Sequence, residues 1–73
     1  MLKSKNEMIR RAAEMIEARD YSGLESMAEI LLKSANMQQV SAPEVKDMLD
    51  DYEDSFEIDK LAAAINVLID VAA

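Results

Sequence analysis

Four times along this chain a serine or aspartate is followed three residues later by a glutamate, and each time an apolar helical period begins just beyond it. The pairs are Ser4 with Glu7, Ser22 with Glu25, Ser41 with Glu44 and Asp54 with Glu57. In such a box the first side chain accepts a hydrogen bond from an amide of the opening turn, and the glutamate reaches back to the amide of the cap. Four boxes in register with four apolar stripes predict four helices, at about residues 5–19, 23–36, 42–52 and 55–71. Met8, Ile9, Ala12, Met15 and Ile16 share a face of the first, flanked by Glu7 and Arg11 as an i,i+4 pair. Leu24, Met27, Ala28, Leu31, Leu32 and Ala35 line the second, and Val45, Met48, Leu49 and Tyr52 a shorter third. Phe56, Ile58, Leu61, Ala62, Ile65, Leu68, Ile69 and Ala72 line the last. Pro43 falls in the first turn of the third helix, where a missing amide hydrogen costs little.

The breaks agree with the stripes. Asp20, Tyr21 and Gly23 punctuate the first junction, "SANMQQVSAP" forms a polar second loop with Asn36 as a left-handed cap, and the third junction is short, at Glu53 and Asp54. A chain of 73 residues hides only about 60% of the surface its unfolded form exposes, which leaves room for one core and one domain, residues 1–73. Its aromatic residues are Tyr21, Tyr52 and Phe56, so the core must come from aliphatic side chains and methionine, a composition that favours helices. The expected fold is therefore all-α, a small four-helix domain with short connections. The segment "EARDYSGLESMAEIL" resembles the helix-turn-helix of a tetratricopeptide unit, but no second copy follows it. "KLAAAINVLIDVAA" is apolar on nearly every side, as in a helix central to its own bundle or shared in a homodimer. Met8, Met15, Met27, Met37 and Met48, at helical spacings, are expected to fill the core, with exposure in a loop as the alternative for Met37.

The missing residue types exclude much chemistry. Without cysteine there is no disulfide, thiolate metal site or cysteine nucleophile, and the reducing cytoplasm is the expected compartment. Without histidine the commonest general base and metal ligand are gone. The chain is accordingly read as a non-enzyme with no cofactor and no metal. The N-terminal "MLKSKNEMIRRAAEM" has no apolar run of the signal-peptide kind, and the longest apolar stretch is interrupted by Asn66 and Asp70, so no membrane is expected.

The net charge of −7 is concentrated. Residues 1–43 carry six basic and six acidic side chains and residues 60–73 one of each, whereas residues 44–59 hold eight acids against Lys46. The stretch "DDYEDSFEID" can be read three ways. As a calcium loop opening at Asp51 it has Phe56 where a glycine is needed and Ala62 where a bidentate glutamate is needed. As a carrier-protein attachment site, Asp54-Ser55-Phe56 resembles the Asp-Ser-Leu triplet that opens the second helix of acyl carrier proteins, but here it would open the last helix, some 18 residues from the chain end. As a helix start, Asp54 caps the last helix while Glu57 and Asp59 complement its dipole. That third reading leaves Asp47, Asp50, Asp51 and Glu53 unexplained, since they crowd the unfavourable C-terminal end of the third helix.

Similarly, "VSAPEVKDMLDD" after "SMAEILLKS" resembles a DNA-reading helix-turn-helix, but Glu44, Asp47, Asp50 and Asp51 on its open face would repel phosphate, so direct nucleic-acid binding is not expected. Arg10, Arg11, Lys3 and Lys5 read as helix pairs offset by acidic neighbours. The remaining expectation is a binding protein whose acidic corner, Asp47, Asp50, Asp51, Tyr52, Glu53 and Asp54, meets a basic surface on a larger partner. Tyr52, Phe56 or Met37 would add apolar contact. In size, helicity and acidity the chain resembles phage-encoded proteins that bind host machinery, including inhibitors of bacterial RNA polymerase. That resemblance implies a transcription-regulating partner and carries over no individual residue. The alternatives are a structural or homodimerising helical subunit, an acidic mimic of nucleic acid, and a carrier domain modified on Ser55.

Overall fold

The computed structural model describes residues 5–40 and 42–72 and folds them into α1 (Lys5–Glu17), α2 (Tyr21–Met37), α3 (Pro43–Ser55) and α4 (Ile58–Ala72). The chain is an all-α four-helix domain with short connections, as its periodicity predicts. The expected caps Ser4 and Ser41, and the side chain of Ala72, lie outside the described residues.

Every other helix packs on α4, and α1 also packs on α2. The reason is the distribution of apolar residues on α4. Leu61, Ala64, Ile65, Leu68 and Ile69 are at most 2% exposed, and together they spread over too much of the helix circumference for one neighbour to cover. Leu24, Ala28, Leu31 and Ala35 of α2, Val45 and Tyr52 of α3 and Ala12 of α1 close the core around them. Thus the most apolar helix is central within a single chain, which is the first of its two expected placements. Met8, Met15, Met27 and Met48 are partly buried against this core, as expected of filler. Met37 departs from that filling role: it is exposed, and it ends α2 and does not sit in a loop. Ile9 and Phe56 depart from their stripes, at 49% and 66% exposed.

The helix ends differ from the box pattern in two places. Asp20, not Ser22, caps α2, its carboxylate accepting the amide of Gly23 at 3.0 Å. A Cβ on Gly23 would stand 2.5 Å from that carboxylate and 2.7 Å from the Met15 sulfur, so glycine is what lets the cap and α1 approach together. Asp54 does not cap α4, because it lies in the last turn of α3. The triplet Asp54-Ser55-Phe56 closes one helix and does not open the next. α4 starts at Ile58, with the Glu57 carbonyl accepting the Lys60 amide at 3.0 Å.

Left-handed residues end three helices, and none is glycine or asparagine. They are Arg19 (φ 57°), Gln39 (φ 56°) and Phe56 (φ 56°), so the left-handed turn after α2 is at Gln39 and not at the expected Asn36. At the first two, paired bonds recover the terminal carbonyls in the Schellman pattern: Arg19 N–H to Ile16 and Asp20 N–H to Met15, then Gln39 N–H to Asn36 and Val40 N–H to Ala35.

Two stability outcomes are expected. Gln39→Gly removes a side chain from a left-handed site on the surface and should raise stability by about 1 kcal/mol in a denaturant titration. Ile65→Asp places an unpaired carboxylate at a fully buried position. Its cost of several kcal/mol, set against a total margin of about 5 kcal/mol, should abolish the helical circular dichroism signal at 25 °C. A folded variant with unchanged melting would put Ile65 outside the core.

Candidate functional site

The third helix holds most of the acidic excess, and its period sorts the acids by face. Val45, Met48 and Tyr52 face the core, so Asp47, Asp50, Asp51 and Asp54, spaced i, i+3, i+4 and i+7, lie together on the opposite face. All four are exposed. None forms an ion pair or side-chain hydrogen bond among the described residues, where the ion pairs are Lys33 with Glu29 and Lys5 with Asp70. The last turn of α3 has no basic residue to offset them. Adjacent like charges on such a stripe destabilise the helix by about 0.2–0.5 kcal/mol per pair, and the dipole adds to this at the C-terminal end.

The expected corner therefore separates into three places. The four aspartates form the outward stripe. Glu53, also exposed, stands to one side, facing the space between α3 and α2. Tyr52 points the other way: its ring is 5% exposed, so it is not available as surface contact for a partner. Its hydroxyl donates to a Glu25 carboxylate oxygen at 3.1 Å, joining α3 to α2. Around it are Tyr21, with ring centroids 6.4 Å apart and nearly parallel, and Phe56, 6.0 Å away and edge-on.

Phe56 was expected in the stripe of the last helix. It is instead the left-handed terminator of α3, with its N–H donating to the Tyr52 carbonyl at 2.7 Å. Its edge contact with Tyr52 accounts for part of its position, yet two thirds of the side chain remains in solvent. The exposed ring follows directly after the aspartate stripe, and Met37 is the other large apolar side chain left most open, at 85%. Ser55 is committed locally: its hydroxyl donates to the Asp51 carbonyl at 2.9 Å and accepts from the Glu57 amide at 3.3 Å.

The calcium-loop alignment also meets the geometry here. Positions 51–55 are in α3 and 58–62 in α4, which leaves two residues where a loop of twelve is required. No cluster of three potential metal ligands occurs among the described residues. Among those residues no helix is long and apolar enough to cross a membrane.

Tyr52 supplies a pH test of the link between α2 and α3. Burial, then the hydrogen bond and negative charge of Glu25, then Tyr21, push its ionisation above the ordinary 10.0. The folded chain thus keeps a proton that the unfolded chain releases, so stability is full below about pH 10 and falls as pH rises beyond it. Tyr52→Phe should lower stability by about 1 kcal/mol at neutral pH. The gap between the melting temperatures of wild type and variant should narrow above pH 10, and a constant gap would place the hydroxyl in water.

Compared with protein-family models, curated proteins and solved structures, the chain matches none.

Proposed function

We propose that the protein is a non-enzymatic binder that lays the outward face of α3 on a basic site of a larger macromolecule. The observation that carries this reading is the stripe Asp47, Asp50, Asp51 and Asp54, four exposed carboxylates at helical spacing with no internal ion pair among the described residues. A helix gains nothing locally from such an arrangement, whereas a basic partner gains fast, oriented encounter. Phe56, held open at the end of the stripe, is the apolar contact that lengthens residence. The target class suggested by the resemblance to phage inhibitors is bacterial RNA polymerase, whose inhibition would regulate transcription.

Two rival readings have less support. A mimic of nucleic acid needs carboxylates along an extended path, and a stripe from Asp47 to Asp54 runs only about 10 Å along its helix. A homodimer built on α4 has lost its motive, because the large apolar side chains of α4 are buried within one chain.

The triple variant Asp50→Asn, Asp51→Asn, Asp54→Asn separates recognition from folding. Its stability should rise by about 1 kcal/mol as like-charge repulsion is removed. In affinity capture from bacterial lysate, wild type should retain one large protein at low salt and release it at high salt, and the variant should retain about tenfold less. A variant that melts lower and binds equally well would give the aspartates a structural role and end this reading.

A further inference from the structure

α2 and α3 both lie on α4, yet among the described residues their backbones do not pack on each other. Side chains bridge them at one end, through Tyr52 and Glu25 and through the stacked Tyr21 and Tyr52 rings. Beyond that bridge a cleft of about 270 Å³ remains open. Its floor and walls are apolar: Leu61 from α4, Ala28 and Leu32 from α2, and Leu49 from α3. Its rim is acidic, with Glu25 and Glu29 on one side and Glu53 on the other. Lys33 stands 3.7 Å from Glu29 at this rim, and Lys46 shares the Leu49 and Glu53 face of α3, so the three carboxylates exceed the nearby cations by one.

An apolar floor inside an acidic rim specifies the chemistry of an occupant. It must offer a compact aliphatic side chain and surround it with positive charge. We infer that this cleft seats an aliphatic anchor residue projecting from a basic amphipathic helix of the partner. The inference rests on the reading that the partner is basic, and adds where and in what form it engages. A helix is favoured over an extended segment because the described residues are helices and short turns, so no sheet edge is present for strand addition. Two helices resting on a third also leave a furrow between their side-chain ridges, the shape into which another helix packs.

The test uses the whole chain, labelled for methyl and amide NMR, and a designed peptide of about 14 residues with leucines at i, i+3, i+4 and i+7 and lysines elsewhere. A peptide of the same composition, with its leucines scattered around the helix, serves as control. The expected result is saturable shifts of the Leu32, Leu49 and Leu61 methyls with the amphipathic peptide and none with the scattered one. Glu29→Lys combined with Glu53→Lys changes two exposed side chains and should weaken binding about tenfold while the spectrum stays that of a folded domain. Shifts confined to the amides of Asp47, Asp50, Asp51 and Asp54, equal for both peptides, would overturn the cleft while leaving a basic partner on the stripe. No shift at either place at low salt would overturn both readings. Movement of the same methyls with protein concentration alone would put a second copy of the chain in the cleft and overturn the basic helix.

Discussion

The domain depends on covering one helix. α4 carries buried side chains around so much of its surface that it is stable in water only when other helices enclose it, and α1, α2 and α3 all do so. Once three helices are committed to α4, their remaining contacts follow. α1 fits against α2 because Gly23 leaves room for Met15 and for the Asp20 cap. α3 is attached to α4 through Phe56 and Glu57 alone, so it folds back immediately, and the turn requires a left-handed residue. Orienting Val45, Met48 and Tyr52 toward the core then turns the aspartates away from it. The acidic stripe is thus a geometric result of core burial acting on a 3.6-residue period.

Much of this is legible in the residues. The existence of four helices, the faces of α2 and α4 and the filling role of Met8, Met15, Met27 and Met48 follow from spacing, because burying a continuous apolar face is a large and non-directional effect. The ends are less legible, since several small terms compete there. At α2, Asp20 displaces Ser22, and the signal available was Asp20 followed three residues later by Gly23, whose missing side chain admits the carboxylate. At α3, the tidy box from Asp54 to Glu57 misleads, because the Ser55 hydroxyl bonding back to Asp51 and the turn at Phe56 carry the helix through Ser55. Residue type gives no sign of the left-handed turns at Arg19, Gln39 and Phe56. There the backbone energy is offset by terminal hydrogen bonds and by the packing that fixes the helices.

The candidate surface was legible in composition and only partly in arrangement. Eight acids within residues 44–59 announce a charged region, and the spacing of Asp47, Asp50, Asp51 and Asp54 places them on one face. Treating residues 47–54 as one corner joined groups that point apart, with Tyr52 in the core and Glu53 on the cleft. The cleft itself has no counterpart in the linear pattern. Leu32 and Leu49 read as core positions, which they partly are, and the gap between them arises because α2 and α3 each reach α4 without packing backbone to backbone.

Several departures from local stability occur together on α3, although left-handed terminators also end α1 and α2 and Ile30 and Met37 of α2 are exposed. α3 has like charges in every turn of its outer face, no basic residue at its C-terminal end, a bulky residue in a left-handed conformation and an aromatic ring mostly in water. Any one of these costs about 1 kcal/mol or less and is common in natural domains. Their coincidence matters more, because a sequence shaped by folding alone keeps its local preferences consistent with its global structure. α2 and α4 meet that standard on their core faces, while α3 meets it only where it touches α4. The side of α3 that violates local rules is the side that contributes nothing to the core, and a face under selection for something other than the fold would have this character. On the proposed reading, recognition belongs to the outer face of α3 and support to the inner one, within a single helix of thirteen residues.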